Sequence, residues 1–145
     1  MTRRSVVAFA GVFLAGVIVG QLFPAHAAVA QAPGANRVFE IRTYTAPEGK
    51  LEELHKRFRD HTLRIFRKHD MTSVGYFRPQ DAPLKDNTLI YIITHANREQ
   101  AKKNWAEFQA DEEWKKVSAE SQVNGRIVSK VDSVFADATD YSPMK

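Results

Sequence analysis

The side chains of this 145-residue chain best suited to chemistry are a histidine, an arginine and two tyrosines. His61 lies in a segment where Leu51, Leu54, Phe58, Thr62 and Ile65 recur at helical spacing. At about 100° per residue it stands roughly 60° from the middle of that apolar stripe, at the edge of a core. A histidine so placed can act as acid or base near neutral pH, or bind a metal or haem iron through one nitrogen. The competing reading is a boundary histidine that donates to backbone. His55 falls on the opposite flank and His69 at the end of the stripe, with spacings of six and eight residues from His61. These match no helical metal pair such as i, i+4, so no metal site is expected. His95 reads as a loop contact at a strand end, and His26 belongs to the N-terminal leader.

Arg42 and Tyr44 share one face of an alternating segment with Glu40. Once enclosed, such groups must be paired or solvated. They could orient an anionic or aromatic ligand, or Glu40 and Arg42 could pair across an interface. Tyr76 could line the same space, or serve as an ordinary cross-strand aromatic. Trp105 and Trp114 read as core anchors. No Ser-His-Asp order, glycine-rich phosphate loop or close carboxylate pair stands out. Catalytic residues are therefore unassigned, with His61, Arg42, Tyr44 and Tyr76 as the candidates.

The elements that must position these residues follow in the order β-α-β-β-α-(α)-β. Val38 to Ala46 alternates as a strand, Pro47-Glu48-Gly49 breaks it, and the helical stripe runs to His69. Glu52 with Lys56, Glu53 with Arg57 and Asp60 with Arg64 are i, i+4 pairs in the favourable order, read as a solvated face. Met71 to Arg78 is a second strand, and Thr88 to Thr94, apolar on both faces, a central third. Asn97 has the chemistry of an N-cap for a helix over Arg98 to Gln109, and Asp111 can cap a shorter one through Ser121. After the Asn124-Gly125 turn signal, Ile127 to Ala136 alternates as a fourth strand. This is the α+β, ferredoxin-like split βαβ order, with helices on one side of the sheet. If Phe39 and Ile41 pack under the helices, the bare side shows Val38, Glu40, Arg42 and Tyr44. A small domain gains by burying such a side against a copy of itself, so a homodimer is expected.

A composition of 43% hydrophobic and 26% charged residues suits one soluble domain. The formal charge of +4 includes Arg3 and Arg4; without those two it is +2, spread over both signs, which is no footprint for nucleic acid. The absence of cysteine excludes disulfides, thiolate metal sites and a cysteine nucleophile. Residues 1–30 read as a signal peptide or N-terminal membrane anchor, 31–36 as a linker and 37–145 as the domain. Arg3 and Arg4 precede an uncharged run from Val6 to Phe23, and two small-x-small sites follow, Ala25-His26-Ala27 and Ala28-Val29-Ala30. Cleavage is expected; the alternative is an anchor over residues 6–23, near the short limit for spanning a bilayer. Either way the domain is exported, periplasmic or secreted, and meets a membrane only through an uncleaved leader. Thr2 to Val7 also loosely resembles a twin-arginine signal, beside the plainer reading of a basic leader start.

Five segments in order carry a family resemblance. They are Glu40-Ile41-Arg42-Thr43-Tyr44-Thr45 with Gly49-Lys50-Leu51-Glu52-Glu53-Leu54, then Arg59-Asp60-His61-Thr62, Lys68-His69-Asp70-Met71, Ala110-Asp111-Glu112-Glu113-Trp114 and Asp140-Tyr141-Ser142-Pro143. From about Arg37 to Pro143 the chain resembles the NIPSNAP family, with Asp70 where the family commonly has Gly and Glu112 in place of Pro. The resemblance implies a dimeric α/β barrel built of two ferredoxin-like halves. The family has no generally accepted enzymatic activity; eukaryotic members are linked to mitochondria and vesicle transport, a role not carried onto an exported chain. Relatives of the fold include cofactor-free monooxygenases and haem-binding enzymes, and a fold does not fix a function. The expectation is a homodimeric binding or interaction module. The alternative is a small-molecule enzyme of the cofactor-free monooxygenase or haem-binding kind, with a pocket near His61, Arg42 and Tyr44. No cofactor is expected, haem being the one considered.

Overall fold

The computed structural model describes residues 37–144. Its first strand, β1, is Val38–Thr45. A helix follows in three pieces: α1, Leu51–Arg57, a π-helical turn, Phe58–Thr62, and α2, Leu63–Lys68. The π turn leaves an extra backbone gap, and the Thr62 hydroxyl donates to the Arg57 carbonyl at 3.2 Å. Then come β2, Thr72–Phe77, β3, Thr88–His95, α3, Arg98–Ala110, α4, Glu112–Glu120, and β4, Lys130–Ala136. The strands form one antiparallel sheet in the order β2-β3-β1-β4, the ferredoxin-like topology expected. The apolar stripe holds, for Leu51, Leu54, Phe58, Thr62 and Ile65 are all buried. β4 starts later than its alternation indicates; Ile127 is fully buried but precedes the ladder.

The two sheet faces are the reverse of the expected ones. Glu40, Arg42 and Tyr44 stand opposite Ile93, Tyr91 and Leu89 of β3, and opposite Phe135, Ser133 and Val131 of β4. This row lies under the helices: the Trp105 indole of α3 donates to Glu40 at 2.7 Å, and the Tyr44 ring meets Phe58 edge-on at 5.9 Å. Because side chains alternate with period two, the whole set turns together. Bulk and hydrogen bonding decide the choice: Tyr44, Tyr76 and Tyr91 fill the deep layer above the sheet with Phe58 and Phe66, and donors from three other elements meet the Glu40 carboxylate. The other face carries Ile41, Ile90 and Ile92, with Phe77 52% and Val134 60% exposed. Gly75 leaves room for the Phe77 ring, since a Cβ there would come within 2.7 Å of it and the ring would have to turn aside.

The three expected surface pairs of the first helix also change. Glu52 pairs with Arg78 at 2.8 Å, Lys56 with Asp60 at 2.5 Å, and Arg64 with Glu113. Arg57 turns inward and is buried rather than joining Glu53, and the π turn disturbs the i, i+4 stacking of Asp60 and Arg64. The predicted caps are present. Asn97 accepts from Gln100 N at 2.7 Å, and Asp111 Oδ1 accepts from Glu113 N and Trp114 N at 2.8 and 3.2 Å. Asp111 Oδ2 also takes Lys68 Nζ at 2.6 Å and His69 Nε2 at 2.7 Å, tying the end of α2 to the start of α4. These bonds from Lys68 and His69 hold the Asp111 carboxyl well below the usual range. The leader and linker readings lie outside the described residues; among those described, no helix is long and apolar enough to cross a membrane.

Asp70, the departure noted above, sits in the left-handed region with φ 54° directly after α2. Met71 N donates back to Phe66 O at 3.0 Å, closing the helix end in the way that favours glycine at this position. A residue with a Cβ pays roughly 1 kcal/mol here relative to glycine. Asp70→Gly is therefore expected to raise the thermal midpoint by several degrees; calorimetry showing no rise or a fall would contradict this reading of the turn.

Candidate functional site

The helix side of β1 is organised by Glu40, which is 1% exposed. Its Oε2 accepts from Trp105 Nε1 at 2.7 Å and from His95 Nε2 at 3.0 Å; its Oε1 takes Arg42 Nη1 at 2.6 Å and Ser133 Oγ at 2.7 Å. The Asn104 amide faces His95 Nδ1 at 3.3 Å, so Nδ1 accepts and Nε2 carries the proton toward Glu40. His95 is thus a fully buried strand residue in this network, not a loop contact. Burial alone would raise the Glu40 pKa, but the bonds from His95, Trp105, Ser133 and Arg42 outweigh it and hold the group at about 2. With both oxygens engaged, Glu40 is a fixed acceptor rather than a proton carrier.

Arg42 completes this site. It pairs with Glu40 within its own strand, correcting the alternative of a pair across an interface. Its guanidinium lies 4.2 Å from the Trp105 ring centre and 3.5 Å from the Tyr44 hydroxyl. Burial would lower its pKa, yet Tyr44, Tyr91 and Glu40 raise it, so the charge is secure. Arg42 opens with Trp105, Ser133 and Phe135 onto a groove of about 620 Å³, whose rim carries Arg98, Glu99 and Lys102. Arg98 stacks on Phe135 at 3.9 Å. Cationic edges and aromatic faces suit a flat anionic or aromatic molecule.

The four candidates do not converge. Arg42 and Tyr44 are neighbours, whereas Tyr76 stacks on Tyr91 with ring centres 5.6 Å apart and bonds Ser73 Oγ at 2.7 Å. Burial raises the Tyr76 pKa. His61 is exposed and lines a groove with Lys56, Arg57 and Asp60 that shares no lining residue with the Arg42 groove. At about 310 Å³, with Val117 and Val123 as its apolar lining and charged side chains around them, the groove beside His61 does not fit a haem. Among the described residues no group of three or more His, Asp or Glu could hold a metal ion. Reading the sequence missed Trp105 and Ser133 as partners of the β1 row; once the register is known, Ser133 stands directly opposite Arg42.

The family model for NIPSNAP matches residues 39–143. The chain belongs to the NIPSNAP family. Its fold is similar to a NIPSNAP-like domain protein from Burkholderia xenovorans, with 18% identity over 74% of this chain and 90% of that one, TM-score 0.65. A NIPSNAP family protein of unknown function from Agrobacterium tumefaciens is similar at 21% identity over 76% and 95%, TM-score 0.66. SnoaB, a cofactor-independent oxygenase from Streptomyces nogalater, is more distant at 16% identity over 75% and 99%, TM-score 0.50. At these identities the likeness is one of fold, the dimeric α/β barrel type, and carries no activity across. Comparison with curated protein sequences finds no match.

In this NIPSNAP chain the Glu40 cluster is a testable stability determinant. A carboxyl held near 2 rather than its ordinary 4.5 stabilises the fold by roughly 3 kcal/mol above pH 4.5, and that contribution is lost as pH falls toward 2. Glu40→Gln is expected to cost about 3 kcal/mol at neutral pH, with a difference from wild type that shrinks between pH 4.5 and 2. Equal denaturant midpoints for the two proteins at pH 7 would refute this.

Proposed function

We propose that this NIPSNAP domain is a homodimeric binding module, exported across the cytoplasmic membrane, whose Arg42 groove receives a small anionic or aromatic molecule. The observation that carries the reading is the sheet face away from the helices, where Phe77 and Val134 stand 52% and 60% exposed beside the half-buried Ile41, Ile90 and Ile92. Fully burying an exposed side chain of this kind is worth roughly 1.5–3 kcal/mol, and Phe77 and Val134 retain about half of that to gain, so a second copy of the same face is a favourable cover. The groove is on the opposite face, and each copy can bind independently of the pairing. A binding role also accords with Glu40, which is held as an acceptor beside Arg42 and offers no proton.

Sedimentation of the purified protein tests the pairing. The wild type is expected to run as a dimer, and Val134→Asp or Phe77→Glu to weaken association by more than about tenfold. A wild type that stays monomeric at high concentration would overturn it. Export has its own measurement: mass spectrometry of the protein recovered from its native cell is expected to show an N-terminus at Ala28 or Gln31. A chain beginning at Met1 or Thr2 would contradict cleavage.

A second reading, a cofactor-independent oxygenase, is supported by one feature of the groove. The permanently charged Arg42 sits over the Trp105 ring, 4.2 Å from its centre, an arrangement able to hold an aromatic anion. Dioxygen uptake with phenolic compounds, in the absence of metal and flavin, separates the two: uptake abolished by Arg42→Ala favours the enzyme, and none favours the binding module.

A further inference from the structure

Arg57 is 6% exposed, and its environment differs from that of Arg42. Among the described residues no carboxylate pairs with it. Its Nε has no hydrogen-bond partner, Nη1 reaches only Ser121 Oγ at 3.5 Å, and the guanidinium lies 5.1 Å from the Trp114 ring centre. Burial pushes its pKa down, but a guanidinium does not lose its proton in a protein, so the charge stays where it is. An uncompensated buried cation is costly unless something anionic meets it.

The same side chain lines a groove of about 310 Å³ between α1 and the end of α4, with Val117, Ser121 and Asn124 at its wall and His61 at its rim. That volume is at the lower end of small-molecule sites. Three carboxylates also border the groove, and each has a lysine of its own: Glu53 with Lys50 at 2.7 Å, Asp60 with Lys56 at 2.5 Å and Glu120 with Lys116 at 3.9 Å. The unmatched charge in the groove is therefore that of Arg57. Its position is set by the backbone, because the Arg57 carbonyl takes the Thr62 hydroxyl across the π turn.

We propose that this groove is a second binding site, which takes a small organic monocarboxylate on Arg57. A carboxylate matches the planar guanidinium fork and meets Arg57 where that side chain lines the groove, the Nε itself being sealed within the fold. The body of the molecule rests against Val117, while Ser121 Oγ, which donates to the Ser118 carbonyl and accepts from Arg57 Nη1, helps to hold the guanidinium in place. The single unmatched charge sets the selectivity: one carboxylate neutralises Arg57, whereas a polyanion such as a polyphosphate brings further negative charge that nothing in the groove offsets.

The test is an NMR titration of the full-length protein with benzoate, with benzamide as the uncharged control and inorganic pyrophosphate as the polyanion. Benzoate is expected to shift the Ser121 and Asn124 amides and the Trp114 indole saturably, and the two controls are expected not to. Arg57→Gln should weaken benzoate by at least about tenfold. Should that variant fail to fold by circular dichroism, Ser121→Leu, which keeps Arg57 and narrows the groove, is expected to weaken it also. Absence of saturable shifts, equal response to benzamide, or benzoate affinity unchanged in a folded variant would each overturn the site.

Discussion

A single carboxylate sealed under the helices governs the arrangement of this domain. Glu40 draws a donor from β3, one from β4, one from α3 and one from its own strand. Removing an ion from water costs several kcal/mol, and here charge-assisted hydrogen bonds offset that cost. The constraint is also directional. A one-residue slip of β1 would place Ile41 among those donors and Glu40 on the bare face, so the cluster selects one register and one facing of the central strand. The aromatic layer of Tyr44, Tyr91 and Phe58 then falls beneath the helix, and Ile41, Ile92 and Val134 fall on the face left open.

Much of the fold was legible because its signals are local. The stripe from Leu51 to Ile65, the Asn97 and Asp111 caps and the doubly apolar β3 follow from spacing and side-chain chemistry within a few residues. The facing of β1 was not legible. Phe39 and Ile41 look like the inner row, and the donors that reverse this choice lie 55, 65 and 93 residues away in sequence. Arg57 was misread for a similar reason. Its spacing from Glu53 describes a surface pair, yet it also stands three residues after Leu54 and directly before Phe58, on the flank that turns inward. Asp70 was noticed as a departure from the family, and its left-handed backbone supplies the reason glycine is common there.

The candidate site was legible only in part. Arg42 and Tyr44 are together as their shared strand face requires, but His61 borders another groove, between α1 and the end of α4. The two arginines are met in different ways. Arg42, partly buried, is neutralised by Glu40 and lies over the Trp105 ring; Arg57, buried, has an aromatic neighbour but, among the described residues, no carboxylate. The oxygenase likeness concerns the backbone, whereas chemistry depends on such side-chain pairings.

The most direct measurement is a carbon-13 NMR titration of the Glu40 side-chain carboxyl in the intact protein. If that group anchors the fold, its resonance stays at the ionised position through pH 4.5 and moves only as the pH approaches 2 or the protein unfolds. A carboxyl that titrates near 4.5 while the domain remains folded would mean that the four donors do not hold it, and the account of the strand facing built on it would fail.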